Sequence, residues 1–258
     1  MKIVQVKHLI DDGVFSNDPA WQAVQAMLME AVSRVHWPLG SGSFTLHPEL
    51  GKRRGQGNGV TPIKHAWQAY LREQGWQLEV PLRFDEPPGP TDNQIRQPGK
   101  MDAVFATPAG LFCAEWETGN ISSSHRAINK LILGMLKGVL VGGALIVPSR
   151  AMYPYLTDRI SNYAELEPYF PVWQATQVSK SLSEKWVQWG RRHTMRPPLL
   201  FWWGVSGRVR PSFVVQRADI RPFQTGSKGL LVIIEIEHDQ LDTSVARIPK
   251  GQSGRARE

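Results

Sequence analysis

Three acidic residues have a spacing that suits metal-ion chemistry. Asp102 lies in the stretch MDAVFAT, and Glu115 and Glu117 lie two residues apart in the stretch LFCAEWE. Both stretches have strand-like composition, and the turn residues PAG between them predict a β-hairpin or two adjacent strands. Because alternate residues of a strand point to the same face, Glu115 and Glu117 are expected to project side by side towards Asp102.

Converging carboxylates could bind a hard cation such as Mg²⁺, which takes oxygen ligands. Bound Mg²⁺ can activate a water, orient it towards a scissile phosphodiester and stabilise charge on the leaving oxygen. The pattern therefore suits a metal-dependent nuclease. Exposed strands also carry alternating acids that only face solvent, and the spacing by itself favours this second interpretation.

The residues after Glu117 change that balance, because a Gly-Asn turn leads into a helix with a polar first turn. Asn120, Ser122 and Arg126 lie there. A helix N-terminus with such side chains can face phosphates, and Arg and Asn make bidentate contacts to guanine and adenine edges. In the alternative interpretation Asn120 caps the helix, or Ser122 or Ser123 does.

The surrounding segments predict an α/β sheet core. Helical spacing of apolar residues covers 20–35, with Asp18 as its cap, a second helix opens at 61 with Pro62, and a third covers 122–139 before the buried strand 141–148. The order strand, strand, helix, strand favours an α/β fold. Further strands are predicted in PLLFWWGV, PSFVVQ and GLLVIIEIE, and a helix in SLSEKWVQWGRR.

Composition excludes several protein classes. The 258 residues are 41% hydrophobic, which suits one large domain with a core, and the single cysteine, Cys113, excludes a disulfide framework and a cysteine-built zinc site. The sequence has neither an apolar stretch long enough to span a membrane nor a signal-peptide pattern at its N-terminus. We therefore expect a single cytoplasmic domain over residues 1–258.

The net charge of +7 arises entirely in the last third of the chain. Residues 1–170 contain 16 basic and 16 acidic residues, whereas residues 171–258 contain 14 and 7. Residues 172–228, here called the basic aromatic segment, hold ten basic and two acidic residues among many aromatic ones, including Trp202 and Trp203. Such a surface suits nucleic acid, either as a duplex clamp or as a single-strand-binding module. A solvated outer face over buried strands explains the charge equally well.

Two long stretches carry a family resemblance. EWETGNISSSHRAINKLILGMLKG at 115–138 and YLTDRISNYAELEPYF at 155–170 closely resemble the BamHI restriction endonuclease family, a divergent branch of the PD-(D/E)xK nuclease superfamily. The match extends to 58–71 and 248–254. It implies a restriction-endonuclease-like fold, in which helices flank a central mixed β-sheet, with the basic aromatic segment as an insertion.

The resemblance also implies an activity. It predicts a bacterial, Mg²⁺-dependent type II restriction endonuclease that acts as a homodimer on double-stranded DNA, within a host that has a cognate DNA methyltransferase. The implied site is GGATCC, cut after the first G to leave four-base 5′ overhangs. A catalytically silent DNA-binding protein on the same fold is the alternative, and a broken acid set would be its signature.

Site residues carry over by position in this sequence. Asp102, Glu115 and Glu79, with the backbone carbonyl of Trp116, are the implied metal ligands, and Glu117 is the implied general base. The implied DNA-binding residues are Asn120, Ser122, Arg126, Asp158, Arg159, Lys64, Ser253 and Gly254. Two features depart from the family pattern. Ser253 replaces an aspartate, and a shorter interval between Asp102 and Glu115 predicts a tighter hairpin.

Overall fold

A mixed six-stranded sheet forms the centre of the protein. The computed structural model describes residues 1–53, 55–81, 99–117, 119–157, 160–175 and 229–250. The strands in these ranges are β1 (Lys2–Asp11), β2 (Thr45–Leu46), β3 (Gln77–Pro81), β4 (Lys100–Thr107), β5 (Gly110–Trp116), β6 (Leu140–Pro148), β7 (Leu230–Glu237) and β8 (Gln240–Leu241). The α-helices are α1 (Pro19–Ser33), α2 (Thr61–Glu73), α3 (Ile121–Leu136), α4 (Tyr163–Leu166) and α5 (Phe170–Ala175).

The strand order of the main sheet is β1-β7-β6-β5-β4-β3. The central strands β5, β6 and β7 run parallel, while β1 pairs antiparallel with β7, and β4 pairs antiparallel with both β5 and β3. A second, two-stranded sheet pairs β2 with β8 in parallel. The central strands are buried on both faces, which is why β6 and β7 have nearly continuous apolar sequences.

Helices cover both faces of this sheet, as predicted. Along β7, Val232 and Ile234 belong to the core cluster that contains the buried side chains of α1 and α2. The alternating residues Leu231 and Ile233 belong to the cluster that contains those of α3, α4 and α5. Since alternate strand residues face opposite sides, the two clusters lie on opposite faces of the sheet.

Local signals set the helix boundaries. The Asp18 carboxylate accepts a hydrogen bond of 2.8 Å from the Ala20 amide, so Asp18 caps α1 as predicted. Helix α3 ends at Leu136, before the predicted limit of 139, because Gly138 adopts a φ of 68°. A glycine with positive φ just after the last turn is a common helix stop.

The strand predictions for the site region are confirmed. Strands β4 and β5 form the expected hairpin, whose turn is closed by a 2.7 Å hydrogen bond from the Thr107 hydroxyl to the Gly110 carbonyl. The segment GLLVIIEIE supplies β7. The predicted elements PLLFWWGV, PSFVVQ and SLSEKWVQWGRR lie outside the described residues. Within the part of the chain that is described, no helix combines the length and apolarity needed to cross a membrane.

Two adjacent glycines on β6 allow neighbouring elements to pack closely, Gly143 next to α3 and Gly142 next to β7. A Cβ on Gly143 would lie 2.8 Å from Leu131 of α3, and a Cβ on Gly142 would lie 2.7 Å from the Leu230 carbonyl oxygen of β7. Leu131 is fully buried and has little room to move. Gly143 therefore allows the close approach of α3 to the sheet.

We expect Gly143→Val to lower the stability of the protein by about 1–3 kcal/mol, because the added methyl groups overpack the contact with Leu131. Thermal denaturation measures the effect. Ala106→Val on β4 is the matched control, since position 106 is exposed and a surface change there should stay within about 0.5 kcal/mol. Equal melting temperatures for the two variants would contradict the close packing of α3.

Candidate active site

The strand register brings the three predicted acids together. Ala103 of β4 pairs with Ala114 of β5, which places Asp102 opposite Glu115, and Glu117 follows directly after β5. All three acids are buried, with 9%, 7% and 8% of their surface exposed for Asp102, Glu115 and Glu117. They line one polar cleft of about 250 Å³ between the hairpin and α3. The solvent-facing interpretation of these acids is therefore wrong.

Asp102 is fixed through both of its oxygens. Its Oδ2 accepts a 2.9 Å hydrogen bond from the Trp116 amide across the hairpin. Its Oδ1 lies 2.6 Å from the ammonium nitrogen of Lys64, which comes from α2. Burial opposes the charge of Lys64, but the carboxylates of Asp102 and Glu79 outweigh it and raise the pKa of Lys64. Lys64 thus stays a cation in the site.

Glu115 has a cationic partner from a different helix. The ammonium group of Lys130 on α3 lies 2.7 Å from Glu115 Oε1 and donates a 2.8 Å hydrogen bond to the Lys100 carbonyl. Burial, and then the negative charge of Asp102, raise the pKa of Glu115 to about 7, against the opposing effect of Lys130. The hairpin therefore holds two like charges close together, each with its own lysine.

Glu117 is held at the junction between β5 and α3. Its Oε1 accepts a 2.5 Å hydrogen bond from the Gly119 amide, and burial raises the pKa of its carboxyl group. Behind it, the hydroxyls of Ser124 and Ser161 are hydrogen-bonded to each other, and the Ser161 amide donates to the Gly119 carbonyl at 2.9 Å. A buried, oriented carboxylate with a raised pKa has the properties of a general base.

Glu79 lies at the margin of this site rather than in the cleft. Its Oε1 is 3.4 Å from the Lys64 nitrogen and accepts a 3.2 Å hydrogen bond from Gln68, while its side chain is 49% exposed. Glu79 has a φ of 53°, a left-handed conformation that costs a residue other than glycine about 1 kcal/mol or more. Lys64 and Gln68 therefore connect Glu79 to Asp102, Lys64 through the Asp102 carboxylate and Gln68 through a 3.4 Å hydrogen bond to the Asp102 carbonyl.

The start of α3 presents the predicted DNA-contact residues. Asn120 is the N-cap, and its Oδ1 accepts a 3.1 Å hydrogen bond from the Ser123 amide. The expectation that Ser122 or Ser123 caps the helix is therefore wrong. Ser122 is exposed, and Arg126, one turn further along, lines the cleft beside the acids.

Other predicted residues lie outside the described part of the chain. These are Asp158, Arg159, Ser253, Gly254 and the basic aromatic segment beyond its first residues. Trp116 ends β5, and its indole packs 5.5 Å from that of Trp67. Lys64, predicted as a DNA contact, pairs with Asp102 and lines the cleft.

The carboxylates of the cleft suit one hard cation whose remaining ligands are waters and a substrate phosphate. Among the described residues, no three His, Cys, Asp or Glu side chains converge closely enough to hold a metal ion by themselves. Mg²⁺ usually takes only one or two protein carboxylates, with waters and substrate phosphate completing its coordination. Asp102 and Glu115 provide such a pair at the wall of the cleft.

Comparisons with known proteins place the chain in a family. A family profile described as "Restriction endonuclease BamHI" matches residues 1–184. The chain is 37% identical over 256 residues, 99% of both chains, to the type II restriction enzyme OkrAI of Oceanobacter kriegii. This chain belongs to the BamHI restriction endonuclease family. It is accordingly an enzyme of the type II restriction class, with the restriction-endonuclease-like fold that the sequence predicted.

Two further matches are partial. The chain is 32% identical to the type II restriction enzyme BamHI of Bacillus amyloliquefaciens over 164 residues, which is 61% of this chain and 71% of that one. A crystal structure of the restriction endonuclease BglII complexed with a DNA 16-mer is similar with a TM-score of 0.45 and 11% identity, over 68% of this chain and 72% of that one.

Sequence reasoning missed Lys130, Ser124 and Ser161. Lys130 follows Arg126 by four residues, so helical periodicity places both on one face of α3, and that signal was available. Ser124 and Ser161 are 37 residues apart and meet only through tertiary packing. No local pattern in this BamHI-family sequence predicts the contact between Ser124 and Ser161.

The raised pKa of Glu115 predicts a pH dependence of stability. A carboxyl group whose folded pKa lies above its unfolded value adds stability at low pH and loses it as the pH rises through the folded pKa. We therefore expect Glu115→Gln to gain stability relative to the wild type between about pH 5 and pH 8. Melting temperatures in EDTA measure the difference. Glu73→Gln, at an exposed position of α2, is the control, and parallel curves for wild type and Glu115→Gln would contradict the burial of an ionised Glu115.

Proposed function

We propose that this chain is a Mg²⁺-dependent type II restriction endonuclease that hydrolyses phosphodiester bonds in duplex DNA at a palindromic site. The observation that carries the proposal is the pair of buried carboxylates, Asp102 and Glu115, with Glu117 beside them in one cleft. The complete acid set argues against a catalytically silent DNA-binding protein. As a restriction enzyme it would act in the bacterial cytoplasm.

Each acid has a proposed role. Asp102 and Glu115 would hold the metal, and the Trp116 carbonyl would complete the protein's share of the ligands. Glu79 contacts Lys64 and lies outside the cleft, so its assignment as a further ligand rests on the family resemblance. When bound, Mg²⁺ supplies a Lewis acid that polarises the scissile phosphate and stabilises the charge on the leaving oxygen.

Glu117 is the proposed general base. Its hydrogen bond with the Gly119 amide fixes the carboxylate just before the N-terminus of α3. Burial raises the pKa of Glu117 towards the range in which a base works best near neutral pH. It would accept the proton of the attacking water. Lys64 and Lys130 would counter the negative charge that a phosphate group brings to two carboxylates.

Helix α3 and its N-cap are also proposed to carry residues that read the DNA sequence. Arg126 lines the cleft and could donate to a guanine edge, while Asn120, whose Oδ1 caps α3, would contact a base through its amide nitrogen. Ser122, Asp158, Arg159, Ser253 and Gly254 complete the proposed DNA contacts. By family resemblance the site is GGATCC, cut after the first G.

A homodimer follows from a palindromic site. Two copies related by a twofold axis would present the same reading residues to each half-site. The host would then need a cognate DNA methyltransferase to protect its own sites, which is a functional rather than a physical partnership.

Glu117→Gln should separate binding from cleavage. We expect single-turnover cleavage to fall by about 100- to 10,000-fold, because the general base is lost, while duplex binding in EDTA stays near the wild-type level. A fluorescent duplex provides both readouts. Glu73→Gln again serves as the control, and cleavage by Glu117→Gln at the wild-type rate would remove Glu117 from the mechanism.

The most direct test is to digest a plasmid of known sequence with Mg²⁺ or with EDTA and to sequence the ends. We expect discrete cuts in GGATCC with four-base 5′ overhangs, in Mg²⁺ only. Discrete cuts at another palindrome would retain the chemistry and contradict the hexamer. Tight duplex binding without any cutting would instead support the catalytically silent alternative.

A further inference from the structure

A fully buried asparagine joins three separate segments of the chain. Asn58 has 0% of its surface exposed. Its side-chain nitrogen donates two hydrogen bonds of 2.8 Å, to the His47 and Tyr155 carbonyls, and its Oδ1 accepts a 3.2 Å hydrogen bond from the Ile248 amide. The backbone N–H of Asn58 also donates a 2.8 Å hydrogen bond to the Tyr155 carbonyl. The side chain therefore uses both of its donors and its acceptor on remote backbone groups.

Glycines around Asn58 let the three segments approach closely. A Cβ on Gly51 would lie 1.6 Å from the Leu156 carbonyl oxygen, and a Cβ on Gly57 would lie 2.5 Å from the same atom. A Cβ on Gly59 would lie 2.2 Å from the Pro249 carbonyl oxygen. Gly51, Gly57 and Gly59 thus pack against backbone on two sides, and Asn58 is hydrogen-bonded to both.

Three segments that meet at this junction continue in the sequence to residues of the proposed site. Tyr155 precedes Asp158 by three residues, and Ile248 precedes Ser253 by five. Helix α2 begins three residues after Asn58 and carries Lys64 into the cleft. A single side chain therefore anchors the stems of two segments proposed to read DNA and the start of a helix that reaches the catalytic acids.

We propose that Asn58 is a positioning residue for sequence recognition, which holds the segments before Asp158 and before Ser253 in one fixed relation to the active site. This inference rests on the proposed function. The role requires an amide, because two carbonyl oxygens need donors and one backbone N–H needs an acceptor. An aspartate keeps the acceptor but loses both donors. An alanine removes the side-chain partner of the His47 carbonyl and of the Ile248 amide, and leaves the Tyr155 carbonyl with the Asn58 backbone amide alone.

The test compares Asn58→Ser and Asn58→Ala with a core variant of similar stability. Ile233→Ala is the matched control, because Ile233 is fully buried in the core cluster on the other face of the sheet. The readout is the ratio of single-turnover cleavage rates on the mapped site and on the same duplex with one base pair changed. A role limited to stability would leave this ratio unchanged.

We expect the ratio to fall by about tenfold or more in both Asn58 variants, because one well-formed bidentate base contact contributes roughly a 5- to 150-fold discrimination. Ile233→Ala should lower the melting temperature and keep the wild-type ratio. A wild-type ratio in folded Asn58→Ser would overturn the proposal.

Amide hydrogen exchange tests the anchor without any cleavage. In the wild type the Ile248 amide should be protected, and in Asn58→Ser it should exchange at least tenfold faster while the β7 amides keep their protection. Unchanged protection of Ile248 would contradict the anchor even if Asn58→Ala fails to fold. If the wild type cuts no DNA but Asn58→Ser still speeds the exchange of the Ile248 amide, the proposed function is refuted while the structural anchor is supported.

Discussion

The site depends on two carboxylates, Asp102 and Glu115, that the sheet buries side by side. Like charges in a dry environment repel and lose their hydration, so they persist only with compensating cations. The protein provides Lys64 from α2 and Lys130 from α3, helices on opposite faces of the sheet. Charge balance at one hairpin thus depends on both helices packing against the sheet. A metal ion entering this pair would compete with two ammonium groups that are already in place.

Much of the fold and of the acid cluster could be predicted, because their signals are local. The β4–β5 hairpin, α3 and β6 follow from short-range periodicity, and the acids follow from strand alternation once the register is known. Strand β1 was not predicted, since register shifts at Ile3/Gln5 and His8/Ile10 break its alternation of apolar residues. Glu79 was assigned by resemblance, and no sequence pattern encodes its positive φ or its contact with Lys64.

The lengths of the matches bear on the basic aromatic segment. The match with BamHI covers 164 residues, 61% of this chain, and the family profile stops at residue 184. The match with OkrAI spans 99% of both chains and therefore extends across residues 172–228. An insertion absent from OkrAI would have interrupted that match, so OkrAI has a counterpart of the segment.

Helix α3 carries Arg126 and Lys130 on one face, four residues and about 6 Å apart. One helix therefore carries both Arg126, which is proposed to read a base, and Lys130, whose ammonium group balances the charge of Glu115. A displacement that improved the fit to a different base would also move the charge next to Glu115. New specificities in this lineage should thus arise more easily through residues on separate loops than through α3, and the part of the recognition site read from α3 should diverge most slowly.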